Sequence, residues 1–94
     1  MGLTARRLEI RGRVQGVGFR AAAVHAAFEF GVQGWVRNHR EGHVEVLVQG
    51  DPASLERFVA WCRRGPPLAR VAEVLLSEAE VDADVAAFET RATI

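Results

Sequence analysis

One short segment of this sequence combines glycines with an arginine in a way that suits an anion. Residues 12–20 read Gly-Arg-Val-Gln-Gly-Val-Gly-Phe-Arg. Gly16 and Gly18 are two positions apart, so a loop there can turn tightly and present successive backbone N–H groups to a ligand. Arg20 follows with a planar fork of donors that matches a tetrahedral oxyanion. The segment predicts a cradle for one phosphate group, although a plain tight turn would also use these glycines.

Two better known glycine motifs do not fit this segment. Residues 16–21 match the loose G-x-G-x-x-G/A pattern of dinucleotide sites, but that fold needs repeated βαβ units and a parallel sheet, for which 94 residues are too few. A P-loop needs a lysine, and the chain has twelve arginines and no lysine. Arg20 in the first turn of a helix opposes the helix dipole at a cost of about 0.3–1 kcal/mol. A bound anion explains that placement better than an arginine that only extends to solvent.

Asn38 is the second candidate for chemistry. Its side chain offers both an acceptor and a donor, which suits orienting a water molecule and equally suits forming a turn. The spacing of His25, His39 and His43 is not that of metal ligands, and no catalytic triad is evident. Cys62 lies on an apolar helix stripe and is expected in the core. An enzyme built on these residues would need a substrate with a good leaving group.

Hydrophobic periodicity predicts the elements that position these residues. In chain order they are a strand at 7–11, a helix at 19–30, a strand at 32–38, a strand at 43–48, a helix opening at Asp51-Pro52, a strand at 71–76, a loop at 81–87 and a short final strand within 88–94. The strands at 32–38 and 43–48 form a hairpin. Two helices on one face of an antiparallel sheet of four to five strands, in the order βαββαβ, make a ferredoxin-like α+β sandwich.

Composition restricts the class of protein. The 94 residues, 49% of them hydrophobic, predict a single domain over 1–94 with one small core. A net charge of zero favours neither nucleic acid nor a membrane as a partner. The single cysteine, Cys62, and an N-terminus unlike a signal peptide indicate a reducing cytoplasm. Neutral charge and a cysteine that faces the core favour a monomer.

Over roughly its whole length the chain resembles the acylphosphatase family. The similar segments are 12–20, 34–38, 42–45, 49–52 and 65–71, of which the first two are the most specific. The resemblance implies hydrolysis of a small-molecule acyl phosphate to a carboxylate and inorganic phosphate. It also implies that the reaction needs no metal, no other cofactor and no covalent intermediate. The family's domain also occurs inside larger carbamoyltransferase maturation proteins, whereas this chain is expected to be a free-standing enzyme.

Carried over by position, the resemblance assigns roles to seven residues. Arg20 would bind the phosphate and Asn38 would position the attacking water, and the remaining phosphate donors would be the backbone N–H groups of Gln15, Gly16, Val17, Gly18 and Phe19. In-line attack on an activated phosphoryl group requires mainly positioning and charge stabilisation. Because a carboxylate of low pKa leaves, a general acid is dispensable.

Two departures from the family's usual pattern leave Arg20 and Asn38 intact. His39 stands where threonine is frequent in the family. Ala21–Ala23 lies near the start of the first helix, where family members often carry a larger polar or aromatic side chain. From the residues alone one alternative stays open, a non-catalytic ferredoxin-like module that binds phosphate or another anion without turnover. RNA recognition is disfavoured because the RNP1 pattern and tyrosine are missing.

Overall fold

The computed structural model describes residues 2–94, so Met1 of the predicted 1–94 domain lies outside the described residues. The elements follow the predicted order: β1 (Thr4–Arg13), α1 (Phe19–Phe30), β2 (Gln33–Asn38), β3 (Val44–Gly50), α2 (Pro52–Arg64), β4 (Arg70–Ala79) and β5 (Phe88–Thr90). The bounds of α1 agree with the periodicity, while β1 and β4 extend further than their apolar alternation predicted. The segment at 81–87 is a loop, as expected.

The sheet has the strand order β4-β1-β3-β2-β5. β1 pairs antiparallel with β3 and β4, and β2 pairs antiparallel with β3, which confirms the predicted hairpin. The expectation of a purely antiparallel sheet is wrong at β5, which runs parallel to β2. The reason is the connection after β4. β4 ends at the end of the sheet where β2 begins, so the chain crosses that end and β5 starts beside the start of β2.

The loop after β4 is held by a buried glutamine on β3. The side chain of Gln49 accepts from the Asp82 N–H at 2.8 Å and donates to the Asp82 carbonyl at 3.0 Å. The Gly34 N–H donates to the Ala87 carbonyl at 2.8 Å at the end of the loop. These bonds fix where β5 starts and therefore which of its residues reach the end of β2.

Both helices pack on one face of the sheet and enclose the core. Strand side chains alternate between the faces, and Leu8 and Ile10 point inward and are fully buried. The apolar stripe of α2 is also buried; it consists of Leu55, Phe58, Val59 and Cys62. On α1 the buried residues are mostly alanines, which lets this helix lie close to the sheet. The opposite face of the sheet carries charged side chains and is called the outer face below.

Helix ends follow from capping chemistry. Asp51 is the N-cap of α2 and its carboxylate accepts from the Ser54 N–H at 3.1 Å, with Pro52 as the first helical residue. Gly31 and Gly65 are the C-cap residues of the two helices. The helices have 12 and 13 residues, and neither is long and apolar enough to cross a membrane.

Candidate active site

A cleft of about 360 Å³ opens where the segment between β1 and α1 meets the end of β2. Six of the seven predicted site residues line it, namely Gln15, Gly16, Gly18, Phe19, Arg20 and Asn38. The seventh, Val17, is buried in the core and is not among the residues that line the cleft. Val14, Ala21 and Thr90 complete the lining. The structure therefore brings the loop, the arginine and the asparagine together.

The two glycines give the loop its shape. Gly16 and Gly18 have φ angles of 74° and 79°, in the left-handed region that glycine adopts without steric cost. Gly18 is the N-cap of α1, and no side chain within residues 2–94 caps the helix there. Among these residues the backbone N–H groups of Phe19, Arg20 and Ala21 have no partner, and the positive end of the helix dipole lies at the cleft. Such a helix start attracts phosphate-sized anions.

Arg20 projects from the first turn of α1 into the cleft. The first turn contains no acidic residue that could offset its charge. Within residues 2–94 the guanidinium takes part in no ion pair. An unpaired cation beside free N–H groups makes this end of the cleft strongly attractive to an anion.

Asn38 is the last residue of β2 and forms the opposite wall of the cleft. Its side-chain oxygen Oδ1 is buried and has no hydrogen-bond partner within residues 2–94. A buried acceptor left unpaired costs about 1–3 kcal/mol, so a hydrogen bond accepted from a small donor would stabilise this atom. The main-chain carbonyl of Asn38 accepts from the Ile94 N–H at 3.1 Å.

Gln15 connects the two walls of the cleft. Its side-chain Nε2 donates to the carbonyls of His39 at 2.7 Å and His43 at 3.0 Å, both in the turn that follows Asn38. The side chain of Gln15 is thus engaged with the protein, which leaves its backbone N–H for the predicted phosphate contact.

Thr90 is the polar residue of the cleft that the sequence did not predict. Val36 and Thr90 are directly paired in the parallel β2–β5 ladder, which sets Thr90 on the helix-covered face close to Asn38. The only signal in the sequence was the short final strand. The sequence does not predict that this strand pairs parallel to β2, so it could not assign Thr90 to the cleft.

The other candidates for chemistry lie outside the cleft. His39 and His43 stack at 4.1 Å, and burial, reinforced by His43 and Arg37, lowers the pKa of His39. His25 is exposed beside Glu29. In the described chain no cluster of three histidine, cysteine or carboxylate side chains could hold a metal ion.

Cys62 is in the core, as predicted. Burial raises the pKa of its thiol well above the ordinary value, so the thiol stays protonated and is not a nucleophile.

Comparisons with known proteins agree on one family. The acylphosphatase family model matches residues 6–90. The acylphosphatase of Anaeromyxobacter sp. (strain Fw109-5) is 50% identical over 82 residues, which cover 87% of this chain and 88% of that protein.

Solved structures give the same result. The acylphosphatase of Bacillus subtilis superposes with a TM-score of 0.89 at 32% identity, covering 96% of this chain and 99% of that one. Full-length HypF, in its phosphate- and nucleotide-bound form, has a TM-score of 0.88 at 28% identity over 98% of this chain but 12% of its own. The fold described above is therefore found both as a small protein and as part of a much larger one.

Proposed function

The chain belongs to the acylphosphatase family, and from that premise we propose that it hydrolyses acyl phosphates in the cleft between α1 and the end of β2. The observation that carries the mechanism is the meeting of two unsatisfied groups in one cleft. These groups are the guanidinium of Arg20, which forms no ion pair within residues 2–94, and the side-chain amide of Asn38, whose Oδ1 has no hydrogen-bond partner there.

The phosphate is held at the start of α1. Backbone N–H groups of residues 15–19 surround its oxygens, and Arg20 donates to two of them through its fork. The positive helix end and the guanidinium together stabilise the charge on the transferring phosphoryl group. Because these donors are fixed by the fold, they need no rearrangement as the charge redistributes in the transition state.

Asn38 orients the nucleophile. Its Oδ1 accepts a hydrogen bond from one water, which places the water oxygen for in-line attack on phosphorus. A P–O bond forms to the water oxygen while the P–O bond to the acyl group breaks. The carboxylate leaves with the bonding electron pair. The water proton passes to a phosphoryl oxygen of the substrate, so the products are a carboxylate and inorganic phosphate.

The protein supplies no general acid in this scheme because the reaction does not need one. The leaving carboxylate has a low pKa and departs as the anion. Positioning and electrostatic stabilisation are therefore sufficient, and Arg20 and Asn38 provide them.

The alternative of a binding module without turnover is less consistent with the relatives of this chain. Two proteins that are 50% and 48% identical to it are named acylphosphatases. This relationship favours hydrolysis over binding alone.

The test is the rate of benzoyl phosphate hydrolysis by the purified protein in the presence of EDTA, for the wild type and Arg20→Ala. We expect turnover by the wild type and a loss of about 10²–10³ in the variant, as for removal of a preorganised oxyanion donor. Saturable phosphate binding by a folded wild type without turnover would instead establish the anion-binding module.

We further infer a cytoplasmic monomer. The zero net charge and the lone cysteine, which is buried, support this inference. Light scattering after size-exclusion chromatography measures the molar mass of the protein in solution. The mass of a dimer would contradict this inference.

A further inference from the structure

One carboxylate on the outer face of the sheet binds both sequence neighbours of Asn38. The Glu45 oxygen Oε1 accepts from Arg37 Nε at 2.8 Å and contacts His39 Nε2 at 2.7 Å. The other oxygen, Oε2, accepts from Arg7 on β1. The side chain of Glu45 is only 6% exposed, so this is a buried carboxylate with three partners from two neighbouring strands and a turn.

The alternation of side chains places this arrangement directly behind the cleft. Arg37 and His39 point to the outer face, while Asn38 between them lines the cleft on the other side. Arg37 is the direct partner of Glu45 in the β2–β3 ladder. One oxygen atom therefore holds the residues before and after Asn38 against β3.

We propose that Glu45 is a positioning residue that sets the orientation of the Asn38 side chain by fixing the main chain on both sides of it. This proposal rests on the proposed function, in which Asn38 orients the attacking water. An amide at the end of a strand would otherwise move with the turn that follows. A displacement of about 1 Å in a catalytic group can cost roughly 10²-fold in rate.

Energetics also point to a role beyond stability. Buried ion pairs are often no more stabilising than apolar side chains of similar size, because both charges lose their hydration. On the outer face of β3, an apolar residue at position 45 could pack against its neighbours without that cost. Leu47, two residues further along the same face, is such a residue and is 7% exposed. The carboxylate is explained by its ability to bind Arg37 and His39 at once.

The first experiment combines Glu45→Gln with Asn38→Ala. The amide of Glu45→Gln keeps the shape but loses the charge that binds three donors. We expect kcat for benzoyl phosphate to fall by roughly tenfold to a hundredfold. The Ki of inorganic phosphate should be unchanged, because within residues 2–94 no hydrogen bond or ion pair joins Glu45 to residues 15–19. In the Asn38→Ala background, Glu45→Gln should have no further effect on kcat. When one residue acts through another, the effects of the two substitutions do not add. Additive losses, or a Ki that rises in step with the loss of kcat, would overturn the proposal.

Glu9→Gln is the matched control. Glu9 lies on β1 directly opposite Glu45, on the same face, and its arginine partner Arg11 is not a neighbour of Asn38. This variant removes the same charge from the same face and should keep kcat. If Glu45→Gln does not fold, His39→Phe keeps a ring stacked on His43 but cannot donate to Glu45. It should lower kcat without changing the phosphate Ki, and an unchanged kcat would overturn the proposal.

A readout independent of activity separates this proposal from the proposed function. The side-chain ¹⁵N resonance of Asn38 should shift or broaden in Glu45→Gln and stay in place in Glu9→Gln. A wild type that hydrolyses no acyl phosphate would defeat the proposed function, while the Asn38 resonance would still show whether Glu45 orients that amide. An Asn38 resonance that is unchanged in Glu45→Gln would defeat the positioning role alone.

Discussion

The side-chain amide of Gln15 donates to the main-chain carbonyl of His39 at 2.7 Å, across 24 positions of the sequence. This bond joins the loop that is proposed to hold phosphate to the turn that follows Asn38. With the second bond of Nε2 to the His43 carbonyl, one side chain sets the width of the cleft. Phosphate and water must be held at a fixed separation for in-line attack, so this bond bears on catalysis as well as on stability.

Gln15→Ala is expected to reduce kcat/KM by roughly tenfold or more, because small misplacements of catalytic groups are costly. It should also lower the free energy of unfolding by about 0.5–1.5 kcal/mol, because the His39 and His43 carbonyls lose the Gln15 bond but each keeps a main-chain donor. Steady-state kinetics and urea unfolding measure the two effects. Gln33→Ala is the control, because Gln33 donates to the Ala86 carbonyl at 3.3 Å outside the cleft. Equal kinetic losses in both variants would mean that Gln15 has no special role.

Arg20 should show opposite effects on activity and stability. Arg20→Ala removes a cation from the positive end of α1, so the free energy of unfolding should rise by about 0.3–1 kcal/mol, while hydrolysis is lost. Arg20→Lys retains the charge without the planar fork and should recover only part of the activity. Chemical denaturation and initial rates give both quantities for each variant. A destabilised Arg20→Ala would show that Arg20 serves the fold.

The cleft shows what the sequence could and could not predict. Gly16, Gly18 and Arg20 are close in the chain, so local turn and helix rules were enough to bring them together. Asn38 could be placed at the end of a strand, and the resemblance to a family supplied its proposed role.

Contacts that depend on strand neighbours were beyond prediction. Thr90 reaches the cleft through the parallel pairing of β5, and Glu45 reaches Arg37 and His39 through the pairing of β2 with β3. The alternating pattern of β3 predicts which residues share a face, but not which charges from other strands they meet.

Gly34 is expected to be the most sensitive glycine for folding. Its φ is 146°, and a Cβ there would lie 1.8 Å from the Leu47 carbonyl oxygen on the neighbouring strand. Neither backbone can yield, so Gly34→Ala should destabilise the protein by about 3 kcal/mol or more. Thermal unfolding followed by circular dichroism measures the loss.

Gly31→Ala is the matched control for that experiment. Gly31 also has a positive φ, of 73°, but a Cβ there meets nothing within 4 Å. Only the left-handed conformation is penalised, at about 1–2 kcal/mol. Comparable losses in the two variants would show that the close approach of β2 and β3 at Gly34 has no added effect.

The N-cap of α2 should make stability depend on pH in the acid range. Bonds from the Ser54 side chain and then from the Ser54 N–H hold the pKa of Asp51 below its ordinary value of 3.8. The unfolded chain therefore binds a proton at Asp51 more readily than the folded chain does. The stabilisation from the carboxylate is complete above about pH 4 and is lost as the pH falls through the lower, folded pKa.

Asp51→Asn tests this dependence because asparagine is also a good N-cap but does not titrate. Melting temperatures should be higher for the wild type near neutral pH, and the difference should close as the pH is lowered below about 4. Ser54→Ala removes the side-chain hydroxyl that donates to the Asp51 carboxylate. In that background the difference in melting temperature that Asp51→Asn causes near neutral pH should be smaller. A difference between wild type and Asp51→Asn that is constant over the acid range would show that the Asp51 charge adds nothing to the cap.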